Sequence, residues 1–264
     1  MLASCSNDIE EEFPCNGELP VPVQLAVAEV SPLTRAVVNN IGDININTLG
    51  IYEVLEGSTA NTFPWTTTPL LTNTAPSAIN GNQLTFSPKL YYPMGGRKVI
   101  FYGYYPRTIA TSGSNYITSP GSGVAPTFNF TLTGQEDIMH AVSTPSGSGT
   151  PGATATLTFN HKLTQIQLGT SLLGALLTSV KILSVKNTGT MNLETGVVTY
   201  GSSTIDIAFT KAGLTSTNPL MVPADVPSYI VEASILGVLL PRKYLIKPTS
   251  GNFLAGTIYT IDIG

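Results

Sequence analysis

Charge is scarce in this chain. Asp, Glu, Lys and Arg make up 11% of its 264 residues, against roughly 25% in an average soluble protein. Exposed helix faces are built from such residues, so an extensively helical surface is excluded. The 12 basic residues are scattered through a chain of net charge -4, which leaves no cationic groove to follow a nucleic-acid backbone. Two cysteines and two histidines are too few for a disulfide framework or a zinc cluster. Long apolar runs are missing too. The longest apolar-leaning segment, residues 229–240, is interrupted by Glu232, Ser234 and Gly237 and falls short of the roughly 18–20 residues of a membrane helix. No G-x-S-x-G elbow occurs, and no carboxylate pair is set between aromatics as in a glycosidase site. Gly121-Ser122-Gly123 and Gly147-Ser148-Gly149 lack the lysine and helix of a phosphate loop. No catalytic residue, metal site or cofactor is expected.

What is present is strand and turn. Hydrophobic residues reach 42%, with 25 Gly and 19 Pro, and Thr, Ser and Asn supply the polarity that charge does not. These residues favour turns and solvent-facing strand positions. Val21, Val23, Leu25 and Val27 alternate with Pro22, Gln24, Ala26 and Ala28, the period of a half-buried strand. Further strands are expected at 49–55, 99–105, 128–132, 180–185, 196–200, 204–209, 229–240 and 257–263, with hairpins and long loops over 57–88. Leu157, Phe159, His161 and Leu163 share one parity, while Ile166 and Leu168 take the other, which predicts a β-bulge between 163 and 166. Only 171–178 reads as a short helix. The Gly-, Ser- and Pro-dense stretch 143–153 is the best boundary. Many short strands with frequent turns make the chain all-β.

The first residues, Met-Leu-Ala-Ser-Cys, resemble the lipobox of bacterial lipoproteins, in which cleavage before the cysteine frees it for acylation. That resemblance makes Cys5 the lipidation site and implies that residue 1 lies inside a longer leader. Acyl chains would then hold the protein at a membrane. The acidic stretch 6–12 and the breakers Pro14, Asn16 and Gly17 read as a solvated tether. The stretch resembles the signal that sends Bacteroidales lipoproteins to the outer face of the outer membrane. A Cys5–Cys15 disulfide is compatible with an unacylated Cys5 and excluded by acylation.

Five segments in order are similar to the fimbrillin-like family, which includes type V pilus subunits. They are Thr34-Arg35-Ala36, Leu49-Gly50-Ile51-Tyr52, Phe101-Tyr102-Gly103-Tyr104-Tyr105-Pro106, Asp137-Ile138-Met139-His140-Ala141 and Phe159-Asn160-His161-Lys162-Leu163. Gly103 stands where the family usually has Ala. The resemblance implies two tandem transthyretin-like β-sandwich domains. The expected organisation is a tether over 1–19, one sandwich over 20–150 and another over 151–264. In pilin members an arginine-specific protease cuts after an Arg that follows the first strand. Arg35 is then the residue cut and Ala36 the new N-terminus. The removed strand, residues 21–30, leaves a trough that a strand from another pilus subunit fills by β-strand complementation.

The resemblance thus implies a structural or adhesive protein of the cell surface or fimbrium. Its partners would be other subunits, the outer membrane through a lipid anchor, the protease and a host or bacterial surface ligand, with no nucleic acid. The last strand looks internal to the second domain, so a tip, accessory or anchor position is expected. The other reading is a surface glycan-binding lipoprotein that does not polymerise, using an exposed Trp65 or the tyrosines at 91, 92, 102, 104 and 105. Cross-strand packing is the competing role of those tyrosines. His161 is expected to point inward and bond to backbone, and His140 to sit in a loop or at a strand end.

Overall fold

The computed structural model describes residues 20–28, 44–65, 69–118, 123–148, 154–169, 177–210 and 218–262. Cys5, the acidic stretch, Cys15, Arg35, Ala36 and most of the expected helix at 171–178 lie outside them; Leu177 opens a strand instead. The described chain is all-β apart from one 3-10 turn at Ile46–Thr48. Its strands in the first half are β1 (Gln24–Ala28), β2 (Gly50–Leu55), β3 (Leu71–Thr74), β4 (Ala78–Asn80), β5 (Gln83–Thr85), β6 (Lys98–Tyr105), β7 (Tyr116–Thr118), β8 (Thr127–Thr131), β9 (Met139–Val142) and β10 (Ser146–Gly147). The second half adds β11 (Thr154–Thr158), β12 (Asn160–His161), β13 (Leu163–Leu168), β14 (Leu177–Lys186), β15 (Thr188–Asn192), β16 (Val198–Tyr200), β17 (Thr204–Ala208), β18 (Leu220–Pro223), β19 (Tyr229–Ile235), β20 (Arg242–Ile246) and β21 (Ile258–Ile261).

A central sheet, β12-β9-β6-β2-β3 with β10 also on β6, is buried on both faces. Strand pleating sends alternate side chains of β2 and β6 to opposite sides. Ile51, Val99 and Phe101 face one core together with Leu25, Val27, Leu84 and Leu157 of the sheet β11-β1-β5-β4. Tyr52, Val54, Tyr102 and Tyr104 face a second core with Phe128, Phe130 and Met191 of the sheet β16-β15-β8-β7. Two sheets and a shared middle layer thus enclose two cores. A third core lies between the sheets β18-β13-β21 and β17-β14-β19-β20, filled by Ile166, Val180, Ile182, Ile207, Val222 and Val231. Pairing runs across the 143–153 stretch, because β11 joins β1 in parallel and β15 joins β8.

The parity change after Leu163 has another cause than a bulge. From 163 to 166, β13 keeps an unbroken register against β18, Leu163 opposite Pro223 and Ile166 opposite Leu220. All four residues are buried, Leu163 in the second core and Ile166 in the third. A strand with cores on both sides carries apolar residues at both parities. The expected bulge is corrected to a regular, two-faced strand.

Candidate functional site

The candidate site is the seat of β1. This five-residue strand is inserted between two others, parallel to β11 and antiparallel to β5. Leu25 is 0% and Val27 1% exposed, and Val21 and Val23 pack against the same core. All four side chains share one parity, so the alternation read from the sequence points into the interior. Extra backbone bonds hold the approach: Val23 N donates to Leu90 O at 3.0 Å and Val27 N to Asn82 O at 2.8 Å. Lifting β1 away would unpair both neighbours and open an apolar slot floored by Ile51, Phe101, Leu157 and Phe159. The core around the slot is mostly aliphatic or Phe, with Tyr92 and Met139 also in it, and it holds one buried carboxylate. Glu53, 3% exposed, projects from β2 opposite Phe101. Its Oε1 has no hydrogen-bond partner among the described residues, and burial pushes its carboxyl pKa up to about 7.

Four of the five segments singled out in the sequence are described, and they meet in pairs on the two faces of the central sheet. Gly50 lies opposite Tyr104, whose ring occupies the space a Cβ would need, at 2.1 Å from the position it would take. At Gly103 a Cβ would stand 2.6 Å from Phe159 Cζ, so the departure from the usual Ala leaves room for that ring. Asp137 and His161 form a fully buried pair, Oδ1 to Nδ1 2.8 Å. His161 does point inward, but to a carboxylate, not to backbone as expected. The second oxygen of Asp137 and Nε2 of His161 find no partner among the described residues. The pair ties the start of β9 to β12, where Met139 and His161 are in register.

His140 lies within β9, buried at 5%, and Nε2 donates to Leu193 O at 2.9 Å. The loop or strand-end placement is thus corrected, and burial lowers its pKa to about 4. Trp65 is buried as well, 4% exposed, with its ring 5.8 Å from Tyr52 and 5.1 Å from Tyr102. An exposed stacking platform at Trp65 is therefore ruled out. Tyr92, Tyr102 and Tyr104 are buried and only Tyr91 is exposed, in keeping with cross-strand packing. The sequence did not signal a shallow groove of about 310 Å³ over the sheet of β7, β8, β15 and β16. Tyr116, Asn129, Thr190 and Thr199 cross it in one register row. Among the described residues, no charged side chain lines it.

The geometry defines an all-β sandwich protein whose first strand is a buried and central piece of a core. The comparisons agree. Residues 34–264 match the family model described as fimbrillin-like, and the chain belongs to that family of structural, non-enzymatic proteins. Three solved structures share the fold. A candidate cell adhesion protein of Bacteroides uniformis is 20% identical with a TM-score of 0.57, over 95% of this chain and 94% of its own. A fimbrial protein of Bacteroides vulgatus is 12% identical with a TM-score of 0.53, over 92% and 95%. A candidate cell adhesion protein of Bacteroides ovatus is 17% identical with a TM-score of 0.52, over 93% of each chain. No curated protein matches the chain.

Proposed function

We propose that this protein is a cell-surface fimbrial subunit of adhesive type, joined to its neighbours by exchange of a β-strand. One observation carries the reading: β1 sits in the middle of a sheet with Leu25 and Val27 buried in the core, and it ends seven residues before Arg35. Cutting after Arg35 leaves β1 held only by hydrogen bonds and burial. Leu25 and Val27 together contribute roughly 3–6 kcal/mol gross, so the cut strand can be replaced by a better one. A strand of another subunit with the same alternation would fill the slot. Upstream, an acylated Cys5 would anchor the chain to the outer face of the outer membrane through the 1–19 tether. Two sandwich units follow in this reading, the first drawing strands from both sides of 143–153.

The test is treatment of the purified protein with an arginine-specific protease. The expected result is one cut after Arg35, a new N-terminus at Ala36, and oligomers that form as the 21–30 strand is displaced. A chain that is cut there but stays monomeric, with β1 still bound, would sink strand exchange. Mass spectrometry of the native N-terminus tests the anchor, since acylation adds mass at Cys5.

A second reading, a glycan-binding lipoprotein that does not polymerise, is favoured by the uncharged Tyr116–Asn129–Thr190–Thr199 row. Hydroxyls and an amide beside an aromatic ring suit a neutral sugar. Retention of the uncut monomer on a glycan array, lost on Tyr116→Ala, would support it.

A further inference from the structure

The hairpin between β19 and β20 breaks the surface pattern of the rest of the protein. Its turn reads Leu236-Gly237-Val238-Leu239-Leu240-Pro241. Leu239 is 100% exposed, Leu240 76%, Leu236 69% and Val238 41%. Four large apolar side chains side by side in water are not the scattered exposure of an ordinary surface. The turn is locally closed, with Val238 N donating to Ile235 O at 3.1 Å, so the leucines are displayed by a formed hairpin. Below the tip, Ile230 and Leu245 face each other across the two strands and are also exposed.

The turn and the strand that follows it carry charges of one sign. Residues 235–247 hold Arg242, Lys243 and Lys247, three of the chain's 12 basic residues, and none of its 16 acids. Glu232, across the hairpin, is shared between Lys181 at 3.2 Å and Lys243 at 3.8 Å. Arg242 is exposed and has no ion-pair partner among the described residues. An acidic protein thus carries an apolar tip with a basic collar.

We infer that the 236–241 turn is a membrane-inserting wedge, taking its place in the interfacial zone of a bilayer whose headgroups are anionic. The leucines enter the acyl boundary and Arg242 and Lys243 stay at the phosphate level. This ordering of apolar tip and cationic collar is the one that interfacial segments use. A protein partner would have to offer a hollow matched to a convex tip, whereas a bilayer closes around any shape. The collar explains the preference for anionic over neutral lipid. The inference does not depend on strand exchange or on acylation.

The full chain, unacylated through Cys5→Ser, is sedimented with vesicles of phosphatidylcholine with or without phosphatidylglycerol. Binding to the anionic vesicles is expected, weakening as salt is raised. Replacing both Leu239 and Leu240 by Asp should lower the partition coefficient more than about tenfold. Arg242→Ser with Lys243→Ser should remove the anionic preference and most of the salt dependence. Since these side chains are exposed, thermal unfolding should be unchanged in both variants, which separates lost binding from lost folding. Equal binding by the double Asp variant would overturn the inference. So would a lipid-free dimer that the same variant dissolves, because the turn would then be a contact between copies of this chain.

Discussion

The two faces of the central sheet are filled by different chemistry. On one, Ile51, Val99 and Phe101 meet the aliphatic side chains of β1, β5 and β11. On the other, Tyr52, Trp65, Tyr102, Tyr104, Phe128 and Phe130 form a chain of ring contacts with centroids 5.1–6.4 Å apart. Aliphatic packing asks only for the right volume at alternate positions. Aromatic packing asks for particular ring angles and for partners to the hydroxyls, as where Tyr104 donates to Asn73 Oδ1 at 2.7 Å. The first face therefore sets looser demands on a strand than the second. In a protein that exchanges a strand, the exchangeable one belongs on the aliphatic side, which is where β1 lies.

That contrast can be broken by substitution, taking the largest effect first. Leu25→Asp places an unpaired charge in the aliphatic core and should cost about 5 kcal/mol in urea unfolding. If cleavage after Arg35 displaces β1, the same substitution should then cost nothing. Phe128→Ala on the aromatic face should cost about 3–5 kcal/mol, and equally before and after cleavage. If the two costs respond alike to cleavage, the faces do not differ as described. Asp137→Ala strands His161 in the interior and should cost about 3 kcal/mol, measured the same way. At the small end, Tyr104→Phe removes a hydroxyl that donates to Asn73 Oδ1 and accepts from Thr108 N, and should cost about 2 kcal/mol.

The faces should also answer pH in opposite directions. Glu53 lies on the aliphatic face, opposite Phe101, and its folded pKa of about 7 stands above the ordinary 4.5. Between those values the folded chain holds a proton that the unfolded chain has released. Stability from this group is present below pH 4.5 and is lost as pH rises through 7, by about 3 kcal/mol. His140 lies on the aromatic face, opposite Tyr104, with a folded pKa of about 4 against 6.5. The unfolded chain binds the extra proton there, so stability is full above pH 6.5 and is lost as pH falls through 4, by a similar amount. In the parent the two slopes oppose each other from pH 4.5 to 6.5. Urea titrations of Glu53→Gln should show stability rising over that range, and of His140→Gln falling. Two flat profiles would mean that neither group feels its burial.

Much of the fold was legible because strand pattern is local. The stretches 21–27, 99–105 and 128–132 each became a strand, and the alternation at 21–27 points its apolar side chains inward. The family segments were legible one at a time, as Asp137, His161, Gly50 or Gly103. Their purpose was not, because it lies in pairs. Asp137 needs His161, 24 residues on, and Gly103 needs Phe159. Burial on both sides of a strand also defeats reading by parity, and β13 looked bulged for that reason. Trp65 looked free because its loop is polar, while Tyr52 and Tyr102, which cover it, come from other strands.

The amino-acid sequence alone determined that the chain is all-β, that its first strand is amphipathic, and that its family is fimbrillin-like, since composition, alternation and short motifs are properties of neighbouring residues. Tertiary structure alone decided that β1 is a central strand, because its parallel partner begins 130 residues away. It also decided which core each side chain enters, because a pleated strand offers two faces and only packing selects what covers each.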